Sequence, residues 1–387
     1  MSGMRRALIL LTSLVVALSL LGAPVPALAE APRAPDKGEL QNALDDLVTT
    51  PGGPPGVIVT LSRGSRLDVL TAGVADLAAG RRPGAGDAMR VASVAKAFSA
   101  ATALRLVSRG VLSLDDTVGT WRPDLPRKWE SITLRQLLGH TSGIPDFSQE
   151  DDFGPDLVAS LLVPPPPRDL LLYVEDEPLL FTPGTEYRYS NSDNIVVALM
   201  IESATGRSYA DVLRAAVLRP VGLTATSLPV GPELPEPYIH GYDVSEQPPE
   251  DVSTLFAAGW TWASGGVVAT PGDLARFMGA NVRGAFTDRR TQAEQFRFRP
   301  GSSEPPGPGA NSAGLGLFRY ETHCGTVYGH TGNTAGYTQF AAATRDGRRT
   351  VTVSINGQIN PTTAPERFAE LHRVFELATC AALARHR

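Results

Sequence analysis

An α+β fold follows from three features of the sequence. Strand-like runs occur near both ends of the chain, at 57–72 and again at 314–355. Helical apolar spacing lies outside those runs, at 40–48 and 365–382. The stretch between, 121–250, is broken repeatedly by proline and glycine and carries only helical segments between the breaks. Together they predict an antiparallel sheet made from both ends of the chain, flanked by terminal helices, with a mainly helical lobe inserted between its two parts. The expected divisions are a leader at 1–29, the first part of the α/β lobe at 30–120, the inserted lobe at 121–250 and the second part of the α/β lobe at 251–387.

The leader is read from its pattern. Arg5 and Arg6 give a positive start, Ala7 to Gly22 an apolar run, and Ala27-Leu28-Ala29 a small-x-small cleavage site before Glu30. The run is short for a membrane span, and Pro24 and Pro26 break it. Adjacent arginines are compatible with both the general and the twin-arginine export routes. No later apolar stretch approaches spanning length, so the expectation is a secreted, monomeric protein without a membrane anchor.

After a proline-rich joint at Ala31 to Pro35, Leu40 to Val48 has helical spacing, and Val57 to Ser62 and Leu67 to Ala72 read as two strands around a turn at Gly64. Val91 to Val107 is an amphipathic helix stopped by Gly110. In the middle, helices are expected at Leu134 to Leu138, Asp156 to Leu162, Asp169 to Val174 and Asn194 to Ser203. Strands return at Gly314 to Phe318, Thr326 to Gly329, Gly336 to Thr344 and Thr350 to Ile355, the last two joined at Asp346-Gly347, a strong hairpin signal. Pro365 to Ala382 closes the chain as a helix.

Bulk composition narrows the function. With 387 residues, 42% hydrophobic and 19% charged positions, the chain suits a globular protein with one large core or two joined lobes. A formal charge of -5 argues against nucleic acid as a partner. The two cysteines, Cys324 and Cys380, form one disulfide by default in an exported protein, the alternative being two buried thiols. Neither has neighbours suggesting catalysis, and no metal-ligand spacing is present, so no metal or organic cofactor is expected.

Lysine occurs only at Lys37, Lys96 and Lys128, which makes Ser93-Val94-Ala95-Lys96 conspicuous. On a helix, positions i and i+3 share a face, so this spacing sets a hydroxyl beside an amine one turn away. A serine hydroxyl becomes a nucleophile when a neighbouring base takes its proton, and a lysine of lowered pKa is such a base. The plainer role for Ser93 is a helix cap. Tyr189-Ser190-Asn191 offers a phenol for proton relay and an amide that can hold the lysine and a substrate carbonyl together; its plainer role is a polar turn. His330-Thr331-Gly332, followed by Asn333, reads as a segment along a sheet edge, where glycine lets a substrate backbone lie close. There the histidine would supply a positive or polar group and the threonine a hydroxyl for a carboxylate. His323-Cys324-Gly325 has the same His-x-Gly form but reads as a structural turn.

Taken in order, SxxK, YxN and HxG resemble the three-part signature of the penicillin-recognising serine enzymes. The similarity is greatest to the branch holding class C β-lactamases and a soluble D-alanyl-D-alanine carboxypeptidase. Leu134-Arg135-Gln136-Leu137-Leu138-Gly139-His140-Thr141-Ser142-Gly143-Ile144, Phe181-Thr182-Pro183-Gly184, the segment from Ser264 to Thr270 with Asp273-Leu274, and Gly314-Leu315-Gly316-Leu317 resemble further stretches of that family. So do the positions of Cys324 and Cys380. The resemblance implies a β-lactamase/transpeptidase-like fold and an acyl-enzyme on Ser93, with Lys96 and Tyr189 sharing the proton transfers. It implies that Asn191 orients the acyl group, and that the N–H groups of Ser93 and Asn333 form an oxyanion hole. Thr331 with His330 would receive a substrate carboxylate, Trp262 would wall the pocket, and His140 would support the site without reacting.

One departure stands out: Phe318-Arg319-Tyr320 follows the GLGL segment where the carboxypeptidase pattern begins a run of arginines, so a free C-terminus would be held less well. The expected activity is a D-alanyl-D-alanine carboxypeptidase acting on cell-wall peptides. A β-lactamase or esterase on the same scaffold is the alternative, and a non-catalytic ligand-binding or sensor protein is the alternative of another class.

Overall fold

Both ends of the chain meet in one sheet. The computed structural model describes residues 37–384 apart from 65, 246, 303, 304 and 363, so the expected leader lies outside the described residues. Strand β1 (Gly56–Arg63) pairs antiparallel with β2 (Arg66–Gly73) on one side. The other strands come late in the chain: β3 (Ala310–Ala313), β4 (Phe318–Thr322), β5 (Gly325–Thr334), β6 (Tyr337–Ala343) and β7 (Arg349–Ile355). The order across the sheet is β2-β1-β7-β6-β5-β4-β3, and β7 beside β1, with Val57 opposite Ile355, joins the two ends.

The period of two along a strand divides the sheet into faces. In β6, Phe340 and Ala342 join the core that also holds Leu44, Val353 and Phe375, while Ala341 and Ala343 join the core of the central helices. Helix α1 (Lys37–Thr49) buries Leu40, Ala43, Leu44 and Leu47, one face at helical spacing. Each leucine so covered contributes roughly 1.5–3 kcal/mol relative to exposure.

On the other face, α2 (Ala95–Ser108) follows a 3₁₀ turn at Ala92–Val94. Next come α3 (Leu134–Leu138), α4 (Phe153–Ala159), α5 (Asn191–Thr205), the short α6 (Trp262–Gly265) and α7 (Pro271–Val282). Phe98 of α2 stacks on Phe277 of α7 with ring centroids 3.6 Å apart. Helix α3 opens on a capping box in which Thr133 and Gln136 satisfy each other's backbone N–H groups. Helix α8 (Pro365–Leu383) returns to pack with α1. The α+β class expected from the sequence, an antiparallel sheet made from two distant parts of the chain with terminal helices and helices between, is the one found. Among the described residues no helix is long and apolar enough to cross a membrane.

Several boundaries move. Residues 314–317 form a turn, with Gly316 at φ +66°, and strand pairing begins only at Phe318. Helix α4 starts three residues before the expected Asp156 because Phe153 anchors its first turn edge-on against Phe147, Tyr173 and Trp260. Pro155 falls in that first turn, where proline is tolerated. The segment expected as a helix at 169–174 is a 3₁₀ helix, Pro167–Leu171. Helix α5 begins at Asn191, not Asn194, and β5 runs through Thr334, so His330 to Asn333 lie within the strand.

Cys324 and Cys380 are joined, with Cα atoms 5.3 Å apart, tying the β4–β5 turn to α8 across a sequence separation of 56. Replacing both by serine removes that constraint from the unfolded chain and is expected to lower stability by roughly 2–4 kcal/mol. Urea unfolding of the oxidised protein and the double variant checks this; equal midpoints would show the bridge to be dispensable.

Candidate active site

Ser93 sits in the 3₁₀ turn before α2, between Ala92, whose φ of +48° is rare for a residue with a side chain, and Val94. Its hydroxyl caps neither the turn nor the helix. Instead it accepts from Lys96 Nζ at 3.1 Å. Lys96 is fully buried, and its ammonium also donates to Asn191 Oδ1 at 2.6 Å and to the Ser264 carbonyl at 2.8 Å. Burial lowers its pKa to about 7, with Asp146 and Asp193 pulling the other way.

Tyr189 stands over the same amine, its ring centre 4.9 Å from Lys96 Nζ. Its buried hydroxyl faces Ser93 without a formed hydrogen bond; burial drives its pKa far upward against the small opposing effect of that serine. Asn191, the first residue of α5, turns its Oδ1 to Lys96 and its Nδ2 to Asp146 (2.9 and 3.2 Å) and to Ser148 Oγ at 2.9 Å. Asp146 also accepts from the Asn191 backbone N–H at 3.1 Å. Both amide hydrogens are thereby engaged by the protein. The Asn191 oxygen is turned to Lys96.

His140 lies behind Tyr189, ring centroids 4.6 Å apart, at a backbone φ of +52°. It pairs through Nδ1 with the buried Asp193 at 3.0 Å, and Asp193 accepts from Ser142 at 2.5 Å. Burial lowers the His140 pKa to about 3 and raises that of Asp193, so both groups are pushed toward neutrality. The sequence offered no spacing signal for Asp146, Ser148 or Asp193. Their separations from the residues they touch, such as 45 from Asp146 to Asn191, are tertiary.

Strand β5 supplies the remaining wall. Strand β4 pairs with it only along Gly325 to Gly329, whereas β6 pairs with it from Tyr328 to Thr334. Residues 330–334 therefore present a local edge inside an otherwise interior strand. Gly332 presses against the turn holding Ser93: a Cβ there would lie 2.5 Å from the Val91 carbonyl and 3.0 Å from Ser93 N. Only glycine permits that approach.

His330 departs from expectation. It is fully buried, its Nδ1 donates to the Thr331 carbonyl at 2.5 Å, and its Nε2 has no partner. Burial brings its pKa to about 3, so it supplies no positive charge near neutral pH. Trp262 also departs: it is buried edge-on against Tyr209, centroids 5.4 Å apart, and does not line the cavity beside Ser93. That cavity, about 230 Å³, is lined by Ser93, Tyr189, Thr331, Gly332 and Asn333 together with mainly apolar residues, Thr338 and Asn360 being the polar ones.

The profile of the Beta-lactamase family matches residues 44–374. Penicillin-binding protein 4* of Bacillus subtilis (strain 168) is 26% identical over 319 residues, 76% of this chain and 66% of that protein. The D-alanyl-D-alanine-carboxypeptidase/endopeptidase AmpH of Escherichia coli (strain K12) is 26% identical over 220 residues, 56% of this chain and 54% of that one. The chain thus spans between about half and two thirds of the length of these relatives. Among solved structures, a D-stereospecific amidohydrolase from Streptomyces sp. superposes with a TM-score of 0.74 at 30% identity, covering 84% of this chain and 95% of that one.

The Asp146 carboxylate holds the Lys96 pKa up against burial. Asp146→Asn keeps an acceptor for Asn191 and removes the charge, so the lysine should titrate below its present value of about 7. An NMR titration of the Lys96 ε-carbon reads this directly, and an unchanged midpoint would remove Asp146 from the electrostatics of the site.

Proposed function

The chain belongs to the Beta-lactamase family, and from that premise we propose that it is an exported serine hydrolase in which Ser93 attacks the carbonyl of a small peptide, amide or ester and becomes acylated. The observation that carries this reading is the buried Lys96 amine 3.1 Å from Ser93 Oγ with its pKa brought to about 7. A lysine of ordinary pKa, near 10.4, holds its proton at neutral pH; this one is free to take the serine's.

The same physics divides the labour between Lys96 and Tyr189. Burial of Tyr189 disfavours its anion strongly, so it keeps its proton and acts as donor and relay. In acylation the Ser93 oxygen bonds to the substrate carbonyl carbon, its proton passes to Lys96, and the leaving atom receives a proton through Tyr189. The N–H groups of Ser93 and Asn333 stabilise the oxyanion. Water then attacks the ester, releasing the acid and restoring Ser93.

A D-alanyl-D-alanine carboxypeptidase acting on cell-wall peptides is the finer reading, supported by the names of Penicillin-binding protein 4* and AmpH. Hydrolysis of other D-configured amides is the second, supported by the D-stereospecific amidohydrolase that the chain covers over 95% of its length. Export rests on the leader pattern of residues 1–29.

Two outcomes are expected. Brief exposure to benzylpenicillin yields either an adduct on the peptide containing Ser93 or hydrolysed drug, and Ser93→Ala abolishes both; mass spectrometry that finds the adduct in Ser93→Ala overturns the assignment. Because the base must be neutral, kcat/KM falls as pH drops through about 7, tenfold per unit well below it. A flat profile between pH 5 and 8 would exclude Lys96 as the base.

A further inference from the structure

We propose that the leaving-group side of the Ser93 site is a neutral, mainly apolar pocket that favours an uncharged leaving group, the alcohol of an ester or an amine without a free carboxylate, over one that bears a carboxylate. This rests on the reading that Ser93 is acylated. The cavity of about 230 Å³ beside Ser93 is also lined by Tyr189, the group that would hand a proton to the leaving atom, so that atom is held here.

The rest of the lining is Pro305, Pro306, Ile359, Pro361, Phe368 and Phe375 with Thr338 and Asn360, and among the described residues no charged side chain lines the cavity. Three of the polar side chains that line it, Thr331, Thr338 and Asn333, donate to main-chain oxygens. Thr331 Oγ1 donates to the Pro306 carbonyl at 3.2 Å, Thr338 Oγ1 to the Gly357 carbonyl at 2.9 Å, and Asn333 Nδ2 to the Ile359 carbonyl at 2.5 Å. His330, the one titratable base on this stretch of β5, is neutral and turned inward. Lys96 is held by three oxygens and does not reach the cavity.

Burying an unpaired carboxylate in such a place is strongly unfavourable, while an apolar group gains by leaving water. The volume suits a ring, since a cavity of about 150 Å³ lined by apolar side chains accepts benzene. Acylation by such a substrate breaks the C–O or C–N bond as the Ser93 ester forms; the departing group takes a proton from Tyr189 as Lys96 returns to Tyr189 the proton it received from Ser93, so the phenol is neutral before and after the step. Hydrolysis of the ester consumes one water and releases the acid.

The test is a matched set of substrates given to the whole protein: N-acetyl-D-Ala-D-Ala with its free carboxylate, the same peptide as its C-terminal methyl ester, and N-acetyl-D-Ala phenyl ester. After subtraction of the Ser93→Ala rate, kcat/KM for cleavage at the carbonyl of the acetylated D-Ala is expected to be at least tenfold higher for the peptide with its carboxylate masked than for the free acid, with the phenyl ester highest of the three. Pro305→Arg, which sets a cation at the pocket wall, should narrow that gap by raising the rate on the free acid. Equal or faster cleavage of the free acid by the unaltered protein overturns the neutral pocket and leaves Ser93 acylation standing. Hydrolysis that survives in Ser93→Ala, or no Ser93-dependent turnover of any of the three, overturns the acylation reading and this inference with it.

Discussion

The site is organised around one ammonium group with no access to water. Lys96 is fully buried, and its three N–H bonds are met by Ser93 Oγ on the turn before α2, Asn191 Oδ1 at the start of α5 and the Ser264 carbonyl in α6. Desolvating a charge of this size costs several kcal/mol even after relaxation, so the acceptors must be in place for the fold to keep the lysine inside. A pKa brought from 10.5 to about 7 expresses the residual cost, on the order of 5 kcal/mol near neutral pH. The sign follows: the folded state holds the proton less tightly than the unfolded chain, so this group's burden on stability shrinks as pH rises from about 7 toward 10.5. What burdens the fold is what makes the amine available as a base.

The remaining elements serve to hold those acceptors still. Asn191 can offer its oxygen to Lys96 because Asp146 and Ser148 take both hydrogens of its amide. Asp146 also raises the affinity of Lys96 for its proton, so one carboxylate both aims the acceptor and moderates the base. Behind Tyr189, the His140–Asp193 pair packs against the ring and is tied by Ser142 into the loop after α3. Strand β5 closes the site because β4 stops pairing at Gly329 and because Gly332 leaves room for the Ser93 turn.

Much of this was legible in the sequence where the signal is local. The i, i+3 spacing of Ser93 and Lys96, the apolar face of α1 and the alternation in β7 are properties of short windows, and the structure has them. The rarity of lysine made Lys96 visible. What escaped is non-local. Strand β3 is preceded by Pro305, Pro306 and Pro308 and reads as a loop, yet it pairs with β4 by way of a turn at 314–317 that had been expected as a strand. Asp146, Ser148 and Asp193 act across 43 to 53 residues of sequence, which no spacing rule covers. The charge of His330 and the place of Trp262 depend on how deeply each is buried, a quantity the motif itself does not carry.

A mainly apolar pocket and a buried base reinforce each other. The Lys96 amine and the Tyr189 hydroxyl are buried, so each depends on fixed protein dipoles, whose effect is larger in a low-dielectric site. Beside them, the cavity at Ser93 is lined by no charged side chain among the described residues, which favours a neutral group there. A free carboxylate would reverse that preference and would also draw the Lys96 proton more tightly onto its amine, opposing the step the lowered pKa permits. The lowered pKa of the base and the neutrality of the neighbouring pocket therefore favour the same substrates.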